Sequence, residues 1–342
     1  MTPADFRKAL LSWYDGSRRD LPWRASNDFY RVWISEIMLQ QTRVEAVIPF
    51  YRRFLERFPM VADLAAASPN DVLTLWSGLG YYTRARNLHL AAKWIVAQGL
   101  PKTHGEVLAL PGVGAYTAAA VASISLGLPH AAVDGNVVRV IARLTNDASE
   151  ITSPAARRRF AEEAARLLDQ RRPGDFNQAM MELGATICTP RALRCGTCPV
   201  QKFCGAFAAG TQNELPVKLK KQKAREVALD LLMLERDGHI FLVERPESER
   251  RLAGFSELPE RRLFPRLRAA KAGECAHQIV NDRFRITLWV AKRSAKPPAR
   301  LPAGKWCKVL SLDKIPLTTI TKKALAAKFK QEGDTPFLAQ GQ

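Results

Sequence analysis

Four of the six cysteines fall inside 17 residues: Cys188, Cys195, Cys198 and Cys204, spaced C-x6-C-x2-C-x5-C. Cys275 and Cys307 stand alone. The chain starts MTPADFRKALLSWYDGS, without the apolar core of a secretory leader, so these thiols are not read as a disulfide framework. Four converging thiolates can hold a tetrahedral zinc ion or an iron–sulfur cube. Zinc sites commonly pair two short Cys-x2-4-Cys knuckles across a longer loop. Here there is one Cys-x2-Cys, and the outer cysteines sit singly. That uneven spacing favours the cube, whose corners lie farther apart, and leaves zinc as the alternative. Arg191, Arg194 and Lys202 lie in the same loop and suit phosphate contact.

A second candidate is Leu110-Pro111-Gly112-Val113-Gly114-Ala115-Tyr116-Thr117-Ala118. Glycines permit positive φ and close backbone approach. A helix starting here aims free N–H groups and its positive dipole end at an anion. An ordinary helix–helix turn also uses glycines, but the whole string has the form of a helix-hairpin-helix motif, which grips a DNA phosphate and reads no bases. The third candidate is a pair of carboxylates. Glu36 lies among Trp33, Ile37 and Leu39, on a stripe with Gln40 and Arg43. Apolar surroundings favour the protonated carboxyl, which can then donate. Asp134 opens a helix, where capping and an ionised carboxylate are compatible. Cleaving an N-glycosidic bond needs a proton for the leaving group and stabilisation of an oxocarbenium-like sugar, which two carboxylates supply.

The elements that must position these groups are helical through about residue 212. Phe6, Leu10, Trp13 and Tyr14 recur at helical spacing, as do Trp33, Ile34, Ile37, Met38 and Gln41, and the stretches 88–97 and 116–126. Ser153–Pro154 reads as the cap and first turn of an amphipathic helix to Leu168. Asp175 and Gln178 read as a capping-box-like pair opening a helix that runs to about Cys188. Residues 213–226, with Lys218, Lys220, Lys221, Lys223 and Arg225, form a basic linker. Beyond it, VALDLLMLE and IFLVE flank Asp237–Gly238 as a hairpin, FRITLWVA is a strand, residues 301–310 extend the α+β pattern, and 321–331 is helical.

The 342 residues exceed one typical domain. Lys and Arg number 52 against 33 Asp and Glu, a formal charge of +19, and 47% of residues are hydrophobic. Such a composition excludes disorder as the main state. No apolar run is long enough to span a membrane. The expectation is a cytoplasmic, basic protein whose partner is nucleic acid, with an acidic membrane surface as the weaker alternative.

These motifs, with Val133-Asp134-Gly135-Asn136-Val137-Val138-Arg139, resemble the endonuclease III branch of the helix-hairpin-helix DNA glycosylases. Within that branch Leu21-Pro22-Trp23-Arg24, the run Trp33 to Thr42, Gly78-Leu79-Gly80-Tyr81-Tyr82, Arg84 to Leu88 and Asn177 to Gly184 resemble the adenine DNA glycosylase (MutY) family. The likeness is close over residues 5–210 and loose beyond 227. It implies an all-α helix-hairpin-helix glycosylase domain with a 4Fe-4S cluster loop at residues 1–212. The linker 213–226 and a C-terminal α+β Nudix-like lesion-recognition domain at 227–342 follow. It further implies a monomeric enzyme that excises adenine opposite 8-oxoguanine or guanine in double-stranded DNA. Glu36 is then the general acid and Asp134 stabilises, or transiently bonds, the C1′ cation. Tyr116 and Asn136 hydrogen-bond around the reacting centre, and Glu182 is an accessory carboxylate or an ordinary helix-surface residue. Trp23 and Arg24 lie near the adenine pocket and Gln41 and Tyr81 wedge the duplex, with core packing the alternative for Trp23 and Tyr81; Gly112 and Gly114 bind phosphate, and the four cysteines ligate the cluster. Lyase relatives carry a lysine where this chain has Tyr116, so the resemblance implies a monofunctional glycosylase. An endonuclease III-type lyase and a DNA-binding protein without chemistry are the alternatives.

Leu252 to Pro259 resembles a Nudix segment without its tryptophan. The following ERRLFPRLRAAKAGE lacks the glutamates that hold metal, which argues against a Nudix hydrolase. Where relatives read 8-oxoguanine with Phe-Ser-His, this chain aligns Ile279-Val280-Asn281. Asn281 keeps a hydrogen-bonding group, so the opposite base is read differently or discriminated less.

Overall fold

The computed structural model describes residues 2–218, 224–246, 252, 254–279, 281–291 and 301–332. Lys220, Lys221 and Lys223 of the linker, and Val280, lie outside them. By contacts the chain forms two compact units: Met1–Ala67 with Asn87–Lys220, and Ser68–Arg86 with Lys221–Gln342. Motif reading groups Ser68–Arg86 with the helical domain, whereas contacts place it in the second unit.

The helices are α1 (Pro3–Ser17), α2 (Phe29–Leu39), α3 (Val44–Arg57), α4 (Val61–Ala66), α5 (Pro69–Trp76), α6 (Thr83–Gln98), α7 (His104–Ala109), α8 (Ala115–Leu126), α9 (Gly135–Leu144), α10 (Pro154–Leu167), α11 (Pro173–Thr186), α12 (Gly205–Ala209) and α13 (Thr319–Glu332). In the first unit, Phe6, Leu10 and Tyr14 of α1 pack with Phe160 of α10, Val140 and Ile141 of α9, and Phe176, Met180 and Leu183 of α11. Ser153 caps α10 through the N–H of Ala156, with Pro154 in the first turn. Two glycines let α11 approach its neighbours. A Cβ on Gly184 would lie 2.7 Å from Asn136 Cβ, and one on Gly174 2.7 Å from the Ser123 carbonyl oxygen. The α9 N-terminus is thereby set directly against α11.

Two local expectations fail. The helix carrying Glu36 stops at Leu39, and Gln41 takes φ of 57°, so Gln41 and Arg43 leave the stripe. The entry to α11 is no capping box: Arg172 is the N-cap without a side-chain bond, Asp175 pairs with Arg172, and the Gln178 amide accepts from Arg24.

The second unit is α+β. One sheet has the order β1 (Arg225–Met233), β6 (Asp282–Ala291), β5 (Ala269–Ile279), with β1 and β6 parallel. The other joins β2 (Glu235–Arg236), β3 (His239–Glu244) and β4 (Ser256–Glu257), with β7 (Gly304–Lys308) on β3. The Asp237–Gly238 turn exists, with φ of 49° and 70° as a two-residue hairpin requires. Its first arm is the two-residue β2, because the long β1 diverges into the other sheet. Leu231, Ile286 and Leu288 from the first sheet, Ile240 and Leu242 from the second, and Leu325 and Phe329 of α13 form a core. Between Pro259 and β5 the chain makes a short 3-10 turn at Arg261–Leu263.

Candidate active site

A cavity of about 660 Å³ opens in the first unit. It gathers ten of the residues singled out from the sequence: Trp23, Arg24, Glu36, Gln41, Gly112, Gly114, Tyr116, Asp134, Asn136 and Glu182. Tyr81 and Asn281 belong to the second unit.

Glu36 is in the middle of α2, whose apolar face buries it; only 6% of the residue is exposed. The Tyr116 hydroxyl donates to Glu36 Oε2 at 3.0 Å and also lies 3.1 Å from Met181 Sδ. Burial raises the Glu36 carboxyl to about 7, with a smaller push from the Asp134 charge; the Tyr116 bond and Arg24 pull the other way. Burial and the nearby carboxylates hold the Tyr116 phenol well above its usual range, so it remains a donor. Gln40, at the end of α2, donates to Thr117 Oγ1 at 3.0 Å and ties this helix to α8.

Asp134 is the N-cap of α9, accepting from the Val137 N–H at 2.7 Å on one oxygen and from Asn136 Nδ2 at 2.8 Å on the other. Asn136 in turn accepts from Arg139 Nη2 at 2.8 Å. Arg139 also donates to the carbonyls of Gly184 and Cys188, at 2.7 and 2.8 Å. One turn further along, Arg143 Nη1 lies 3.2 Å from Cys188 Sγ and 2.9 Å from the Thr189 carbonyl. One face of α9 therefore links Asp134 to the cysteine loop through neutral and charged donors.

Glu182 has a different environment from either carboxylate. It is 1% exposed, which rules out a surface role. Arg19 Nε donates to Oε1 at 2.7 Å, and Arg24 Nη2 to Oε2 at 2.8 Å. Burial pushes this carboxyl up, but the two guanidinium groups outweigh it and the net shift is downward. Both Glu182 oxygens are thus engaged by arginines that line the cavity. Arg24 also bonds Gln178 and the Arg19 carbonyl. Trp23 is both core and lining: it is 7% exposed and packs edge-on against Tyr51. Sequence reading missed Arg19, Met181 and Thr117, and did not see Gln178 as part of the site. Nothing local marks Arg19, whose role exists only through a residue 163 positions away.

The hairpin at the cavity edge turns at Gly112, φ 78°, closed by the Val113 N–H on the Leu110 carbonyl at 3.1 Å. A Cβ there would lie 2.7 Å from Asn87 Cβ, so only glycine fits. Gly114 is the N-cap of α8 without a side-chain cap, leaving the first-turn N–H groups open. Cys188, Cys195, Cys198 and Cys204 line a second, smaller cavity with Arg143 and Gln212. Gln212 Oε1 is buried there with no donor among the described residues. Also among the described residues, no set of three or more His, Cys, Asp and Glu side chains is arranged around a single metal ion.

A helical fold with this hairpin and this cavity is that of the HhH-GPD superfamily of base excision DNA repair proteins, which residues 34–166 match. A solved thermostable thymine-DNA glycosylase is 30% identical, with a TM-score of 0.56 over 60% of this chain and 97% of that one. An endonuclease III–DNA complex, 20% identical with a TM-score of 0.52 over 62% and 99% of the two chains, shares the fold. An adenine DNA glycosylase of Buchnera aphidicola (subspecies Acyrthosiphon pisum) is 34% identical over 73% of this chain and 72% of its own length. The chain belongs to the adenine DNA glycosylase family. The Arabidopsis thaliana member is 37% identical over 84% of this chain and 52% of its own. The human member is 46% identical over 61% and 41%. The chain thus spans about half the length of its plant and animal relatives.

Proposed function

We propose that this chain is a monofunctional DNA glycosylase that removes adenine mispaired with 8-oxoguanine or guanine in double-stranded DNA. The observation that carries the reading is Glu36: a carboxyl raised to about 7, buried, held by a tyrosine hydroxyl, in a cavity shared with the Asp134 carboxylate. A nucleotide must leave the stack to reach such a cavity. Glu36 then donates its proton to the adenine ring, weakening the glycosidic bond, while Asp134 stabilises the positive charge growing at C1′. The Val137 N–H and Asn136 amide hold Asp134, and Tyr116 keeps Glu36 oriented. Arg19 and Arg24, fixed by Glu182, border the base pocket. None of the described cavity-lining residues is a lysine, which supports water rather than an amine as the final nucleophile.

Gly112, Gly114 and the open N-terminus of α8 are the phosphate grip. The four cysteines are proposed to hold a 4Fe-4S cluster: the donors are soft, they line one cavity, and an Arg143 N–H reaches one sulfur. When bound, the cluster would fasten the loop that carries Arg191, Arg194 and Lys202. The second unit is proposed to inspect the opposite base through Asn281, next to β6, while its Tyr81 and Gln41 of the first unit are proposed to enter the duplex.

The test is single-turnover adenine release from duplexes with adenine opposite 8-oxoguanine, guanine, cytosine and thymine. Release opposite 8-oxoguanine and guanine, lost in Glu36→Gln, is the expected result. Abundant borohydride-trapped adduct on the same duplexes would instead indicate a lyase. Iron and sulfide analysis decides the cluster, and stoichiometric zinc would overturn it.

A further inference from the structure

The second unit contains a loop, residues 77–82, that is internally braced and presents one exposed aromatic ring. Gly78 and Gly80 take positive φ, and Tyr81 does so too, at 50°, in the region that an aromatic residue enters at a cost. Trp76 Nε1 donates to the Gly80 carbonyl at 3.1 Å. The Arg84 guanidinium donates to the same carbonyl and lies 5.4 Å from the ring centres of both Trp76 and Tyr81. Tyr81 remains 53% exposed on this pedestal.

Two contacts join the ends of the loop to the junction of β4 and α13. Phe255 packs on Tyr82 with ring centres 4.1 Å apart. Lys322 Nζ donates to Ser77 Oγ at 2.5 Å. The junction is rigid: Ser256 N–H bonds the Pro316 carbonyl, Thr318 N–H the Ser256 carbonyl, and Leu258 N–H the Thr321 hydroxyl. Lys322 is locally a poor choice. It lies near the start of α13, where the helix dipole repels a cation, and its burial disfavours charge. Among the described residues no carboxylate pairs with it. What offsets these costs is Ser77, the C-cap of α5, at the negative end of that helix. A local conflict resolved only by a distant partner marks a residue kept for position.

We propose that Lys322 is a positioning residue which, with Phe255, fixes the Tyr81 loop to the core of the second unit. Strand wedging and inspection of the opposite base are then acts of one body. This rests on the reading above in which Tyr81 enters the duplex.

The experiment compares Lys322→Met, Lys322→Arg and the milder Ser77→Ala in the full chain. Amide exchange at residues 78–82 of the free protein should speed up about tenfold in Lys322→Met and Ser77→Ala, with α8 and α9 unchanged. Enzyme affinity for duplex with adenine opposite 8-oxoguanine, relative to matched duplex, should fall about fivefold; the maximal single-turnover rate should fall less, and Lys322→Arg should retain most of both. Unchanged exchange overturns the clamp. Faster exchange with intact affinity ratio, or loss confined to the maximal rate, overturns its role in recognition. If the wild-type chain releases no adenine from any duplex, the proposed function fails, while exchange and duplex affinity still judge the clamp.

Discussion

The two regions proposed to handle a mispair are built in opposite ways. In the first unit the candidate carboxylates are buried or half-buried and bonded: Glu36 to Tyr116, half-buried Asp134 to Asn136 and Val137, Glu182 to two arginines. In the second unit the candidate recognition residues are exposed, Tyr81 on a strained loop and Asn281 immediately before β6. Chemistry demands a fixed protonation state, and so a closed environment. Recognition demands access to a duplex, and so a rigid support with a free end.

The largest effect should come from breaking the closed region at its acid. Glu36→Gln keeps the shape and the Tyr116 donor but removes the transferable proton. Single-turnover adenine release should fall by at least about 10³-fold, with duplex affinity nearly unchanged. A fall below tenfold would move the acid elsewhere.

The same carboxyl should register in stability. With a folded value of about 7 against an ordinary 4.5, the native chain binds the extra proton between those limits. Its contribution is therefore present in full below pH 4.5, declines as pH rises, and is gone above 7, a span of roughly 3 kcal/mol. Glu36→Gln should accordingly resist urea better than wild type at pH 8 and equally at pH 4.5. In the wild type, adenine release should decline as pH rises through 7. A rate independent of pH between 6 and 8.5 would separate Glu36 from the rate-limiting proton.

A smaller effect is expected at Gly184→Ala. The new methyl would meet Asn136, whose amide holds Asp134, so both stability and rate should suffer. A cost of about 1–3 kcal/mol in urea unfolding and roughly a tenfold slower release are expected. Loss of stability with an unchanged rate would show that Asn136 can shift without moving Asp134.

Much of this was legible from the chain, unevenly. The hairpin glycines, the carboxylate on an apolar helix and the clustered cysteines carry their chemistry in type and spacing. Glu182 and Arg24 were named, but their pairing and Arg19 were not, since the arginines meet Glu182 only through tertiary packing. Gln41 looked helical because its spacing from Trp33 and Met38 fits; the stop at Leu39 is made by tertiary contacts, including Gln40 on Thr117. Strand β5 was missed altogether. Ala269-Ala270-Lys271-Ala272-Gly273 has poor strand propensity, and its place is set by β6 and by α13, whose Ala327 would lie 3.2 Å from a Cβ on Gly273.

The smallest expected effect is the one that most sharpens the comparison. Asn281 is exposed, and the Arg225 N–H binds its backbone oxygen, so its backbone is held whatever the side chain. Asn281→Ala should leave urea unfolding and the maximal rate opposite guanine unchanged. At an exposed position it removes one hydrogen bond to the opposite base, worth about 0.5–1.5 kcal/mol net, so the preference for 8-oxoguanine over guanine should fall by about tenfold or less. Ile279 offers no hydroxyl to replace it. A hundredfold fall would mean that the tip works as a closed, desolvated site like the first unit, and the contrast between the two regions would collapse. No change at all would place opposite-base reading on other residues, with the Tyr81 loop the next to examine.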